Sequence, residues 1–520
     1  MEQLIQSFAG GGKFMGTVLV ARGDNVLLSK GYGSANLEWN IPNSPSTKFR
    51  LGSITKQFTA AAILLLEERG KLRLDDPVKK HLPDAPAAWD QITIFNLLTH
   101  TSGIPNFTNF PEYPSSQPFA ATPEKLVARF RDKPLDFAPG EKYAYSNSGY
   151  VLLGYLLERI SGQDYAKFLQ ENIFIPLGMK NSGFDSNAAI ILLRASGYQT
   201  GEGGIKNAGF VHMSIPFSAG SLYSTTEDLL KWQKALYGGK LLSPASLQKM
   251  ITPYKGDYAL GLVVTNQKGR KVISHNGGIE GFNTFLSYFP EDKVTVAVLG
   301  NLNGQAPEAI GAALGSIVHG DSVQLASERR SVPVPREVLQ RYVGTYEFQP
   351  GVRNVVTLEG DQLMTKLGGQ PKFPLFPESE TRFFLKAVDA QIEFIKNAGG
   401  ETTSLVIHQS GRDMTCPRIS AITDIAFDRQ EVSLPPDVLK DYVGSYPFTA
   451  DFAIEITLEG TLLVEQATGQ QKCPLFAEAK DKFFLKVVDA QIEFVRDATG
   501  NVTALVLHQG GRDQTAIRKK

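Results

Sequence analysis

Cysteine is nearly absent: Cys416 and Cys473 are the two in 520 residues. They fall in different copies of the repeat described below, so neither copy can close a bridge of its own. That excludes a disulfide framework and disfavours a thiol nucleophile. Histidine is sparse too. The seven are scattered, with no His-Glu-x-x-His and no Cys-x-x-Cys, so neither a metal nor another cofactor is expected. Net charge is also missing, because 53 basic residues balance 53 acidic ones. A nucleic-acid partner would call for a basic excess or stripe, and none is expected. No apolar run approaches the roughly 18 residues of a membrane span. Nor is there a secretory apolar core, since Met1 to Phe8 reads as a short amphipathic helix. The chain as written is expected to be cytoplasmic, or periplasmic or extracellular if an export signal was trimmed.

What is present divides into three parts. Residues 1–325 mix strands and helices. Thr17 to Ala21 and Val26 to Lys30 flank Arg22-Gly23-Asp24-Asn25, a hairpin signal. Asn283 to Phe289 and Val294 to Leu299 flank Pro290-Glu291-Asp292-Lys293, a second one. Between them, helices are expected to open at Thr122-Pro123-Glu124 and, with a capping box, at Ser224-Thr225-Thr226-Glu227. Hairpins at both ends predict an α+β domain, with an antiparallel sheet drawn from both termini. Ser331-Val332-Pro333-Val334-Pro335 then breaks regular structure.

An internal repeat follows. Tyr342-Val343-Gly344-Thr345-Tyr346 returns as Tyr442-Val443-Gly444-Ser445-Tyr446, an offset of 100 residues (442 − 342). Phe384-Leu385-Lys386, Asp389 to Phe394 and His408-Gln409 return at the same offset. Short alternating runs and glycine turns predict two tandem all-β modules, 333–430 and 433–520, each a meander or barrel. Phe373, Phe376, Phe383, Phe384 and Phe394 are expected to pack their core.

Three short patterns carry chemistry. Ser53 and Lys56 are spaced i, i+3, which puts hydroxyl and amine on one helix face. Ala60 to Leu66 is apolar all round, so this helix is expected to be buried. A desolvated lysine can be the base that a serine nucleophile needs. Alone, the pattern also fits a capping serine with a solvated lysine. Tyr145-Ser146-Asn147 precedes a helix expected from Gly149 to Ile160. A lysine charge nearby is expected to lower the tyrosine pKa, and the asparagine can orient an amide. Its bland reading is a packed aromatic and an N-cap. Ser274-His275-Asn276-Gly277-Gly278 offers glycines that admit a ligand to the backbone and an N–H for an oxyanion. Its bland reading is a glycine turn. His100 is expected only to support a turn, since the chain has no Gly-x-Ser-x-Gly elbow.

In this order, the three patterns resemble the class C β-lactamase-like serine hydrolases, a group that includes D-aminopeptidases, penicillin-binding proteins and family VIII esterases. Phe49 to Phe58, Leu97 to Ile104, Phe174 to Met179 and Ala219 to Ser224 also look like family landmarks, so the resemblance covers nearly all of 1–325. It implies a β-lactamase/transpeptidase-like fold with a helical subdomain. It implies Ser53 as acylated nucleophile, Lys56 as its base and Tyr145 in proton transfer. His275 takes the first position of the third motif, with Asn147 and Gly277 at the substrate and the N–H groups of Ser53 and Gly278 as oxyanion hole. The modules after residue 331 resemble lipocalin-like β domains, which implies a cap over the site or a homo-oligomer contact.

One departure bears on substrate. β-Lactamases carry Lys-Thr-Gly in the third motif, where this chain has His275-Asn276-Gly277. An imidazole binds a β-lactam carboxylate less firmly than an ammonium does. The expected activity is acyl-enzyme hydrolysis of a small peptide or ester, foremost as a D-aminopeptidase. The alternatives are a short-chain carboxylesterase with weak β-lactam acylation and a non-catalytic penicillin-binding or sensor protein.

Overall fold

The computed structural model describes residues 1–323, 329–349, 352–388, 390–409, 412–420, 432–449, 452–469, 472–485, 490–497, 499–509 and 512–519. Leu325 and Gln430, two of the expected domain ends, and the repeat residues Asp389, Lys486 and Asp489 lie outside these. The chain forms two compact units, Met1–Ser327 and Glu328–Lys520.

The first unit holds a six-stranded antiparallel sheet. Its strands are β1 (Gly16–Arg22), β2 (Asn25–Tyr32), β3 (Val263–Gln267), β4 (Arg270–Ile279), β5 (Phe282–Phe289) and β6 (Val294–Gly300). They run in the order β3-β4-β5-β6-β1-β2, so strands from both ends of the unit meet where Val18 faces Val298. Both expected hairpins form. Residues along a strand alternate between faces, and here both faces are buried. Val18 and Val20 join a core with Leu4 and Ile5 of helix α1 (Glu2–Ala9). Leu19 and Ala21 join a larger core on the other face, dominated by helix α2 (Thr55–Glu68).

The longer of the remaining helices in this unit are α3 (Pro123–Arg131), α4 (Asn147–Ser161), α5 (Thr226–Tyr237) and α6 (Ala306–Val318). Thr122 caps α3 by accepting the Lys125 N–H. Thr225 caps α5 by accepting the Asp228 N–H. The cap lies one residue later than the expected Ser224–Glu227 box, which puts Asp228 in place of Glu227 at the third helical position. The Asp228 carboxylate accepts from Asn181 N–H and the Ser182 hydroxyl, which ties α5 to the segment before it.

The second unit contains two eight-stranded antiparallel barrels. Strands run in sequence order from Gly344–Gln349 to Arg412–Ser420, and the first barrel closes where Thr345 pairs Ser420. The second runs from Gly444–Pro447 to Arg512–Ile517, and the Lys519 N–H donates to the Ser445 carbonyl across its seam at 2.9 Å. Register repeats with the sequence: Leu363 faces Leu375, and Leu463 faces Leu475. Tyr342 stacks on Phe394, and the equivalent Tyr442 meets Phe494 with its ring tilted by 32°. The phenylalanines divide. Phe383 and Phe394 fill the core, Phe373 packs at its edge, and Phe376 pairs with Phe384 outside the core cluster.

Candidate active site

The turn that carries Ser53 is built by a glycine. Strand residues Phe49–Arg50 lead to Gly52, whose φ of +54° is left-handed. A side chain there is strained. The chain then makes a 3-10 turn over Gly52–Ile54 before α2 begins at Thr55. Ser53 therefore precedes the α-helix that carries Lys56. The i, i+3 contact survives because a 3-10 turn also stacks such residues.

Lys56 is wholly buried, and burial holds its pKa well below the ordinary lysine range. Its Nζ lies 3.0 Å from Ser53 Oγ, 2.9 Å from Asn147 Oδ1 and 2.9 Å from the Ala219 carbonyl oxygen. Two of these partners are carbonyl oxygens that only accept. A neutral amine has two protons to donate and one lone pair. It can donate to both carbonyls and receive the Ser53 O–H, so every member is satisfied.

Tyr145 donates its O–H to Ser53 Oγ at 2.8 Å. Its phenol is not acidified as the sequence reading expected. Burial raises its pKa, and the Ser53 hydrogen bond only partly offsets this. Burial thus favours the protonated phenol at Tyr145. Asn147 is the first residue of α4, two residues earlier than the helix start expected at Gly149, and Ser146 is the N-cap. Its Nδ2 donates to Thr108 Oγ1 at 3.2 Å, so both ends of the amide are held. The amide serves Lys56 as well as lining the cavity.

The third pattern is not a turn. His275 to Gly278 lie within β4, where Gly277 pairs Thr284 and Gly278 pairs Asn283, and the chain reverses only at Glu280-Gly281. Gly277 points at the Ser53 turn, since a Cβ there would lie 1.9 Å from the Leu51 carbonyl oxygen. It is not among the described residues that line the cavity. Its approach to Leu51 brings the Gly278 nitrogen beside Gly52. His275 is buried. Its Nε2 is 3.2 Å from the Tyr258 hydroxyl and its Nδ1 2.6 Å from the Asn276 carbonyl.

A cavity of about 210 Å³ opens at Ser53, lined among others by Phe107, Tyr113, Asn147, Gly278, Ile279 and Glu280. Among the described residues lining it, Glu280 alone carries a charge. It has no hydrogen-bond or ion-pair partner among the described residues. Burial pushes the Tyr113 phenol up to about 12, with the Glu280 carboxylate adding to the shift. Sequence reading missed Glu280 and Tyr258 and gave His100 only a turn. No spacing rule marks Glu280 or Tyr258. His100 is fully buried at a φ of +56° and touches the rings of Tyr145, Tyr150 and Tyr258.

Comparison with known proteins follows the same line. The Beta-lactamase family profile matches residues 1–317, more than half of the chain. The chain belongs to that family. A domain of unknown function, DUF3471, matches 328–424 and again 428–518, once for each barrel. Penicillin-binding protein 4* of Bacillus subtilis (strain 168) is 30% identical over 443 residues, 79% of this chain and 97% of its own. The octameric penicillin-binding protein homologue from Pyrococcus abyssi matches with a TM-score of 0.58 at 29% identity, over 80% of this chain and 98% of that one. The D-stereospecific amidohydrolase from Streptomyces sp. matches at 0.52 and 26% identity, over 60% and 97%. This homology is consistent with a serine hydrolase acting on amide or ester bonds.

Proposed function

We propose that this chain is a serine hydrolase of the D-aminopeptidase type, cleaving an amide next to a free amino group through an acyl-enzyme. The observation that carries the reading is Ser53 Oγ held between Lys56 Nζ at 3.0 Å and the Tyr145 O–H at 2.8 Å. Ser53 Oγ attacks the substrate carbonyl as its proton passes to Lys56. The new ammonium faces the rings of Tyr145 and Tyr150, at 4.8 and 5.5 Å, which favour a cation only once it has formed. The N–H groups of Ser53 and Gly278 receive the oxyanion. The proton then reaches the leaving amine through the Tyr145 hydroxyl. Water attacks the acyl group, returns its proton along the same path, and restores Ser53.

Glu280 supports the substrate class. Its unpaired carboxylate attracts an α-ammonium and repels the carboxylate of a β-lactam. Likeness to the Streptomyces D-stereospecific amidohydrolase supports the D preference. The uncharged walls at Phe107, Pro216 and Ile279 favour a second reading, a short-chain carboxylesterase. Two closed eight-stranded barrels support a lipocalin-like description of the C-terminal modules. The octameric Pyrococcus homologue supports a homo-oligomer.

The test is a ratio of kcat/KM values over D-alanyl and L-alanyl p-nitroanilide, p-nitrophenyl acetate to decanoate, and a chromogenic cephalosporin. The D-alanyl anilide is expected to lead, and N-acetylating it to abolish turnover. A cephalosporin in first place overturns the reading. Esters in first place favour the second one.

A further inference from the structure

Three buried rings outside the Ser53 cavity form one hydrogen-bonded chain. His100 Nδ1 accepts the backbone N–H of Ser146 at 3.1 Å. A ring nitrogen that accepts carries no proton, so the neutral imidazole holds its proton on Nε2. Burial holds the His100 pKa well below the usual range, so this ring stays neutral. His100 Nε2–H meets the Tyr258 hydroxyl oxygen at 3.1 Å. The Tyr258 O–H then faces His275 Nε2 at 3.2 Å. That leaves the His275 proton on Nδ1, 2.6 Å from the Asn276 carbonyl oxygen, which can only accept. Tyr150 also neighbours the Tyr258 hydroxyl, but spends its own proton on the Leu98 carbonyl at 2.8 Å.

Both ends of this chain are therefore backbone groups, a donor at Ser146 and an acceptor at Asn276. The arrangement above gives each ring nitrogen between them a partner. The ends are also informative in sequence. Ser146 lies between Tyr145 and Asn147, and Asn276 lies between His275 and the Gly277-Gly278 pair. The chain thus ties the segment that supplies Tyr145 to the strand that supplies Gly278.

We propose that His100 and Tyr258 are positioning residues that fix His275 as its Nδ1–H tautomer and hold Tyr145 and Gly278 at their places around Ser53. The proposal rests on the acyl-transfer reading of Ser53, and neither residue is assigned a contact with substrate. Its test uses the full chain with a fluorophosphonate probe and selective ¹⁵N-histidine labelling. Tyr258→Phe deletes one oxygen and keeps the ring. His100→Asn keeps an acceptor for Ser146 and loses the donor to Tyr258. Each variant is expected to take the probe at Ser53 at least tenfold more slowly, with the His275 ¹⁵N signals leaving the Nδ1–H pattern. The double variant is expected to be no slower than the worse single one, because all three break one chain.

A labelling rate within twofold of wild type in Tyr258→Phe overturns the proposal, whatever tautomer His275 adopts. So does slow labelling with the His275 tautomer unchanged in both variants. If one variant fails to fold, the other still decides. Absence of label on wild-type Ser53 is a different failure. It sinks the acyl-transfer reading, while the tautomer measurement still decides whether His100 and Tyr258 fix the proton on His275.

Discussion

Gly52 and Gly278 approach so closely that a methyl group on Gly52 would lie 2.8 Å from the Gly278 nitrogen. This contact unites the Ser53 turn with the strand that carries Gly278, the second oxyanion donor of the proposed mechanism. It depends on a third glycine, Gly277, which lets β4 slide against Leu51. Thr284 Oγ1 adds a hydrogen bond to the Leu51 carbonyl at 2.7 Å and holds the two segments together.

Gly277→Ala is therefore expected to fold and to fail in turnover. The added methyl pushes β4 away from Leu51 and carries the Gly278 N–H out of place. Losing one oxyanion donor costs on the order of 100- to 1,000-fold in kcat. Circular dichroism and kcat on the best substrate of the panel check this. Turnover within tenfold of wild type counts against Gly278 as a donor.

Lys56 makes stability depend on pH. Its folded pKa lies well below its unfolded value, so between the two the unfolded chain binds a proton that the folded chain does not. Stability from this residue therefore rises with pH up to the unfolded value of about 10.4 and is lowest at and below the folded one. Lys56→Met removes the dependence. The Tm of wild type minus that of Lys56→Met is expected to grow from pH 7 to pH 10. A flat difference would mean that Lys56 is charged in the folded protein.

Tyr145→Phe removes the hydroxyl that donates to Ser53 and leaves Lys56 in place. Acid–base catalysis by one such group is worth roughly 100- to 10,000-fold. Ser53 is expected to remain labelled by a fluorophosphonate, while turnover of the anilide falls within that range. Turnover close to wild type would remove Tyr145 from the proton path.

Glu280→Gln tests the substrate class directly. A hydrogen bond to a charged group contributes about 1.5–3 kcal/mol, so kcat/KM for a free-amine substrate should fall about ten- to hundredfold. The p-nitrophenyl esters should change little. Equal losses on both classes argue against an ammonium subsite.

Much of this site was legible in the sequence because its chemistry is local. Ser53 and Lys56 are neighbours through helix geometry, and the hairpins were legible because each closes over a short turn. The 100-residue offset announced two similar barrels because register travels with sequence. What was not legible depends on long-range packing. The bland reading of His275 to Gly278 was a turn, since paired glycines usually make one. Here they stay in a strand because a neighbouring backbone needs the space. Tyr145 was expected to be acidified by a lysine charge, but burial lowers the Lys56 pKa and raises that of the phenol. Glu280 and Tyr258 belong to no pattern, and only the folded chain brings them beside the site.

The most direct measurement is intact-mass spectrometry after fluorophosphonate treatment of wild type and Ser53→Ala. The account predicts a single adduct on wild type, mapped to Ser53, and none on Ser53→Ala. No adduct on wild type, or an adduct that persists in Ser53→Ala, contradicts it.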